Sequence, residues 1–208
     1  MNKSLLLAEF FLIFISPPLL IVWGLLPKEA IMPVLWVVSL YAYLLLRSSK
    51  IKVLAIDFER KALYTVLKRF LVIGTAITLF VLYFKPELFL ALVKANPWQW
   101  LAVMLFYPVF SAFIQEVLFR SFFFHRYEKL FKGRLILLVT VNALLFAYVH
   151  IVFENWIAIV FTFFGGLLFA QTYLKTRSTL LTAIEHSLYG NTLYTLGLGY
   201  YFYHGANI

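Results

Sequence analysis

Residues 98–124 read WQWLAVMLFYPVFSAFIQEVLFRSFFF, an apolar run in which Glu116 and Arg120 are the only charged side chains. A helix that crosses a bilayer needs ~20 mostly apolar residues, so this run is long enough to span. A charge at the bilayer centre costs roughly 2.5–3.5 kcal/mol on insertion scales. The run therefore predicts a membrane helix in which Glu116 and Arg120 each need a specific partner.

The chain as a whole has the composition of a membrane protein. Its 208 residues are 63% hydrophobic and 13% charged, against roughly 45–50% and ~25% in soluble domains. The net charge of +9 comes from basic residues that flank the apolar runs, so we expect membrane lipids, and not nucleic acid, as partners. Because the chain has no cysteine, disulfides and a cysteine nucleophile are excluded.

Seven segments are apolar enough to be membrane helices, which predicts an all-α polytopic fold. They are residues 5–26, 31–46, 70–84, 98–124, 135–152, 155–174 and 179–203. Residues 47–69 are mixed and basic, and we expect them to lie at the interface as an amphipathic helix. A change of composition after residue 97 divides the chain into N-terminal helices, 1–97, and core helices, 98–208.

Lysine and arginine residues favour one orientation, because basic side chains concentrate on the cytoplasmic side of a membrane. With the N-terminus in the cytoplasm, Lys28, Lys85 and Lys94 fall outside and most of the other basic residues fall inside. We therefore predict seven spans in a bacterial cytoplasmic membrane, with residues 47–69 inside and the C-terminus, residues 203–208, outside.

Three of the predicted spans carry ionisable residues. Glu116 and Arg120 share one helical face and can form an ion pair, His150 lies in the next span, and Glu185 and His186 lie in the last. Polar groups in lipid must satisfy one another, so we expect Glu116, His150 and His186 to share one site. The helical rise places Glu116 roughly 13 Å and His186 roughly 12 Å from the cytoplasmic ends of their helices. The same rise places His150 roughly 24 Å from the cytoplasmic end of its helix.

Several hydrolytic mechanisms are incompatible with these residues. Asp57 is the only aspartate, which excludes a two-aspartate protease. No histidine is followed by glutamate, so the zinc motif H-E-x-x-H is absent. Ser111 and Ser187 do not stand in a glycine-rich nucleophile elbow. What remains is a carboxylate with imidazoles, in which Glu would act as general base on water and His would orient it or bind a metal.

At these residues the chain resembles the CPBP family, which includes CAAX proteases and bacteriocin-processing or immunity proteins. That family shows E-E-x-x-x-R on one helix, F-x-x-x-H on the next and H-x-x-x-N on a later one. Residues 115–120 read QEVLFR and residues 146–150 read FAYVH. The first motif therefore departs from the family by Gln115, and the second matches throughout.

The third motif is incomplete. Gly190 stands four residues after His186, where the family has asparagine, and Asn191 follows one residue later. A spacing of five residues turns about 140° around an ideal helix. His186 and Asn191 would therefore face one site only if the helix were distorted between them.

The resemblance implies hydrolysis of a peptide bond within the membrane, in a membrane-embedded or lipidated substrate. It implies a glutamate as base, the first histidine as a group that holds water, and the later histidine with asparagine as an oxyanion site. Family members are grouped with metalloproteases, and two His with one Glu suit zinc, but a metal-free glutamate mechanism fits as well. The expected site comprises Glu116, Arg120, His150, His186 and Asn191 as catalytic residues, Gln115 and Phe146 as substrate contacts, and His150 with His186 as the ligands if zinc is bound.

Two other functions stay open. Gln115 cannot take a proton, which favours a non-catalytic relative that serves as an immunity or scaffold protein. A small proton-coupled transporter would use buried Glu, Arg and His as a relay, but the chain has no internal repeat of the kind that many transporters contain. We therefore place an intramembrane endopeptidase first.

Overall fold

The computed structural model describes residues 3–54 and 58–202, and its regular elements there are all helical. Within these described ranges, six helices are long and apolar enough to cross a membrane. They are α1 Lys3–Val22, α2 Lys28–Ser48, α3 Arg60–Phe84, α5 Pro97–Phe131, α6 Leu135–Phe153 and α7 Trp156–Thr176. The short α4, Ala91–Ala95, precedes α5, and α8, Thr179–Thr195, is followed by a 3-10 turn at Leu198–Phe202. The predicted all-α architecture is confirmed.

The seventh predicted span, residues 179–203, corresponds to α8 and is shorter than expected. α8 has 17 residues and ends before Gly197, whose φ is +92°, a conformation that glycine adopts without strain. A Cβ on Gly197 would overlap the carbonyl of Leu88. The chain therefore turns after α8 against the segment that precedes α4.

In the part of residues 47–69 that the structure describes, 47–54 and 58–69, there is no separate interfacial helix of the kind that we predicted. α2 continues to Ser48, and α3 begins at Arg60 and runs without a break to Phe84. Arg69 reaches Glu185 of α8 in a buried ion pair, so its charge has a partner inside the bundle and need not lie at the interface. Asp57 lies outside the described residues.

α5 is the central helix of the core, and its winding changes twice near Glu116. Two π-helical segments, Pro108–Phe113 and Val117–Phe122, flank the single α-helical turn Ile114–Glu116. Pro108 lacks the N–H that a regular helix interior requires, which accounts for irregular winding at the first of them. π segments widen the helix and are frequent at functional sites, so α5 is most irregular at the residues singled out by sequence.

Two exposed ion pairs join connections that we predicted to share one side of the membrane. Lys28, before α2, lies 3.2 Å from Glu154, between α6 and α7. Arg177, between α7 and α8, lies 3.1 Å from Glu128 near the end of α5. The grouping of the connections into two sides therefore agrees with the packing, and the assignment of one side to the cytoplasm stays a prediction.

Single-cysteine variants test that assignment, because the chain contains no native cysteine. Lys52→Cys should react with an impermeant maleimide only from the cytoplasmic face, and Glu87→Cys only from outside, since both side chains are exposed on connections predicted to lie on opposite sides. Intact cells and inverted vesicles give the two measurements. The reverse pattern would overturn the orientation, and labelling of both from one face would overturn the grouping.

Candidate active site

Glu116 lies at the centre of the fold and has no exposed surface. Its Oε1 accepts a hydrogen bond from Nδ1 of His186 at 2.8 Å. Its Oε2 lies 3.2 Å from Nε of Arg120, a distance that makes an ion pair although the geometry is not that of a hydrogen bond. Both carboxylate oxygens of Glu116 are therefore engaged by cationic or polar groups of the protein.

Arg120 is also fully buried, and aromatic rings share its stabilisation with Glu116. The guanidinium carbon lies 4.8 Å from the ring centroid of Phe146 and 5.6 Å from that of Phe169. A desolvated cation over an aromatic face gains ~2 kcal/mol. Phe146, which we predicted to contact the substrate, therefore contacts Arg120 within the protein.

His186 is held at both ring nitrogens. Because a carboxylate only accepts hydrogen bonds, the proton of the bond to Glu116 lies on Nδ1. In the neutral imidazole Nε2 then accepts, and its partner is the hydroxyl of Tyr107 at 3.0 Å. We did not predict Tyr107. The one sequence signal near it was Gly190, where the family motif has asparagine.

Gly190 and Tyr107 compete for the same space. A Cβ built on Gly190 would overlap the ring edge and the hydroxyl of Tyr107. Only glycine at this position of α8 therefore lets the Tyr107 ring lie against the helix and reach His186.

His150 has a defined tautomer. It lies in the 3-10 segment Val149–Phe153 that ends α6, and its Nδ1 is 2.6 Å from the carbonyl oxygen of Phe146. A carbonyl only accepts, so Nδ1 carries the proton and Nε2 carries the lone pair. The Phe146 ring lies 4.9 Å from the His150 ring and 5.5 Å from the His186 ring, between centroids, so both imidazoles border the same aromatic side chain.

These groups meet at a cavity of about 330 Å³. Its wall is mainly aliphatic and aromatic, with side chains from α1, α2, α3, α5, α6, α7 and α8. The polar residues on the wall include Tyr107, Gln115, His150 and His186. Glu116 lies behind His186 and does not line the cavity, whereas Gln115 does, with its Nε2 donating to Ser111 at 2.8 Å.

Asn191 is the predicted site residue that the structure places elsewhere. Its side chain donates to the carbonyl of Met104 at 3.3 Å and lines a second groove with Phe113 and Ser187. α8 is a regular α-helix from Thr179 to Thr195. No distortion therefore brings Asn191 onto the helical face of His186, and the two side chains stay about 140° apart around the helix. The residues brought together at the cavity or directly behind it are Gln115, Glu116, Arg120, Phe146, His150 and His186.

Glu185, the neighbour of His186, belongs to a different polar cluster. It has no exposed surface and pairs with Arg69 of α3. Thr172 of α7 donates to its Oε2 at 2.6 Å. The sequence did not reveal this cluster, because Arg69 had been assigned to the interfacial segment. The cluster joins α3, α7 and α8. Of the two neighbours on α8, His186 faces the cavity and Glu185 does not.

The predicted histidine pair does not fit a catalytic zinc ion in this arrangement. Such a zinc takes three protein ligands, and no three His, Cys, Asp or Glu side chains among the described residues are grouped to hold a metal. Both ring nitrogens of His186 are hydrogen-bonded within the protein. We therefore derive no step through a metal.

Arg120→Leu should destabilise the protein strongly, because it leaves the Glu116 carboxylate buried with His186 alone. Removal of one partner of a buried pair costs about 3–5 kcal/mol, whereas loss of both charges costs less. Arg120→Leu with Glu116→Leu should therefore be more stable than Arg120→Leu. Thermal unfolding in detergent measures both. Arg177→Leu, which breaks an exposed pair, is the control and should cost about 1 kcal/mol or less. A double variant less stable than Arg120→Leu would contradict the ion-pair assignment.

Comparison with known proteins places this site in a family. Residues 97–192, from the start of α5 into α8, match the Rce1-like type II CAAX prenyl endopeptidase family. No individual curated protein and no solved structure matches the chain. The expected resemblance is confirmed at the level of the domain, and the interpretation of Gln115 as a variant of the family motif stays a prediction. Residues 97–192 therefore form a domain of the Rce1-like type II CAAX prenyl endopeptidase family.

Proposed function

We propose that the protein is an intramembrane endopeptidase that hydrolyses a peptide bond of a lipidated or membrane-embedded substrate. One observation carries the proposal. Two imidazoles with defined hydrogen bonds, His150 and His186, line one apolar cavity inside a bundle of membrane-spanning helices. Acid–base chemistry on a bound peptide needs a group that takes up a proton, and the Nε2 lone pair of His150 can do so. The buried Glu116 carboxylate holds the other imidazole, His186.

His150 is the better placed general base. Its Nε2 lone pair belongs to a residue on the cavity wall, whereas Glu116 has no surface there and both its oxygens are engaged. We therefore assign to Glu116, which we had expected to be the base, the orientation of His186. This arrangement parallels the carboxylate–imidazole pairs of hydrolases, in which the carboxylate fixes the tautomer.

The proposed reaction needs no group beyond water and these side chains. Water gives a proton to Nε2 of His150 while its oxygen bonds to the carbonyl carbon, and the carbonyl oxygen becomes an oxyanion. Collapse of this intermediate breaks the C–N bond, and the proton on His150 passes to the departing amine. The products are a carboxylic acid and an amine, so atoms and charges balance.

The cavity supports an apolar peptide as substrate. Its volume of about 330 Å³ lies at the lower end of ligand pockets, which span ≈ 300–1,000 Å³. Its aliphatic and aromatic wall suits the aliphatic residues of a CAAX sequence, and the family that residues 97–192 match is one of CAAX prenyl endopeptidases. A prenylated CAAX peptide is therefore the first substrate to test.

A second candidate function rests on Gln115. This amide lines the cavity at the position where the family motif has its leading glutamate, and it cannot accept a proton. A protein that binds the same peptide without cleaving it, as an immunity or scaffold protein would, needs the cavity but no base. The tests below separate the two functions.

Cleavage of a farnesylated, fluorescently quenched CAAX peptide in proteoliposomes tests the first function. His150→Gln should lower turnover by about 10²-fold or more, the usual contribution of a general base. His125→Gln is the matched control, since His125 is exposed on α5 away from the cavity, and it should keep the rate. If the wild-type protein binds this peptide without cleaving it, the second function replaces the first.

Gln115→Glu should raise the rate of cleavage, because it adds a carboxylate to the cavity wall where a water is to be activated. A positioned general base contributes about 10²–10⁴-fold, so we expect an increase of about tenfold or more. Gln115→Ala removes the same amide without supplying a base and serves as the control. Equal rates for the two variants would show that the attacking water does not lie beside residue 115.

A further inference from the structure

We propose that Tyr107 is a catalytic residue that donates its phenolic hydrogen bond to the carbonyl oxygen of the scissile bond. The inference rests on the endopeptidase function proposed above and adds the group that stabilises the developing negative charge. Neither the family motifs nor the sequence pattern points to Tyr107. The geometry around His186 and Gly190 does.

The position of Tyr107 is determined by its surroundings. It ends the α-helical segment Pro97–Tyr107, directly before the π-helical segment Pro108–Phe113. Its ring lies 6.0 Å from the ring of His186 and 5.5 Å from that of Tyr194, both edge to face. Gly190 packs against its other edge. The hydroxyl is thus presented to the cavity by a packed ring, as preorganised oxyanion donors require.

In the neutral form of His186, Nδ1 carries the proton that faces Glu116, so Nε2 accepts from the Tyr107 hydroxyl. In the proposed reaction the same hydrogen turns, by rotation about the phenolic C–O bond, towards the carbonyl oxygen of the substrate. Tyr107 keeps its proton throughout, and the proton taken from water resides on His150. The donor strengthens its bond as the oxygen gains charge, which lowers the barrier.

Gly190 links this role to the departure in the third motif. A side chain at position 190 and the phenol of Tyr107 cannot occupy the same volume. An asparagine at that position would supply an amide donor from α8. With glycine there, the hydrogen-bond donor comes instead from α5, through Tyr107. In this chain the hydroxyl of Tyr107 therefore provides the donor beside His186.

Tyr107→Phe removes the hydroxyl and keeps the packed ring. Loss of one oxyanion donor lowers kcat by about 10²–10³-fold, and we expect this loss with KM changed by less than about threefold. A farnesylated peptide with a phosphinate in place of the scissile amide, which imitates the tetrahedral intermediate, should lose affinity by the same factor as kcat. Tyr148→Phe is the control, since its hydroxyl donates to the carbonyl of Ile15 outside the cavity.

An exchange of donors separates catalysis from packing. Tyr107→Ala should lose activity, and Gly190→Asn added to it should restore part of kcat, because the amide enters the volume that the phenol vacated. Gly190→Ala, which supplies bulk without a donor, should not restore it. A purely structural Tyr107 would predict the opposite, namely rescue by any side chain that refills the space.

The outcomes distinguish the two proposals. Wild-type cleavage with an unchanged kcat in Tyr107→Phe overturns the role of Tyr107 and leaves the endopeptidase in place. If the wild-type protein does not cleave the peptide but binds the phosphinate, and Tyr107→Phe weakens that binding, the donor site is supported. The same result overturns the endopeptidase function. Failure of the wild-type protein both to cleave the peptide and to bind the phosphinate overturns both.

Discussion

The buried carboxylate of Glu116 is the interaction on which the rest of the core depends. It compensates the charge of Arg120 at 3.2 Å and holds His186 at 2.8 Å, in a place with no exposed surface. Each partner would be costly in lipid without it. The aromatic rings of Phe146 and Phe169 lie against the Arg120 guanidinium, so the ion pair is packed directly against the apolar core. Helix α5 carries Glu116 and Arg120 and lies in the middle of the bundle, where its residues 117–124 are all buried.

The positions that we predicted to depart from the family motif lie around this centre. Gln115 and Gly190 line the cavity, whereas Glu116 and Arg120 lie behind its wall. The buried ion pair stabilises the fold and agrees with the motif that the resemblance predicts, whereas the two positions predicted to differ from it face the cavity. Tyr107 fills the volume left by Gly190. Glu116 and Arg120 thus stabilise the core, whereas Gln115, Gly190 and Tyr107 line the cavity in which a substrate would bind.

Sequence reasoning succeeded where a cost in lipid could be assigned to one residue. The helical spans and the meeting of Glu116 with Arg120 and His186 follow from hydropathy and from the need to pair buried charges. It failed where partners are distant in sequence. Tyr107 has an ordinary aromatic position in α5, and its contact with Gly190 depends on how α5 and α8 pack. The predicted depth of His150 assumed a regular helix, whereas this residue lies in a 3-10 turn at the end of α6.

The Arg69–Glu185 pair has a consequence for the biosynthesis of the protein. Arg69 belongs to α3, but its partners Glu185, Thr172 and Gln171 belong to α7 and α8, which leave the ribosome much later. Until they arrive, Arg69 lacks this ion pair, and a charge at the centre of a membrane helix costs roughly 2.5–3.5 kcal/mol on insertion scales. The pair can therefore stabilise the Arg69 charge only once α8 has been made. The stability of α3 thus depends on helices that are synthesised after it.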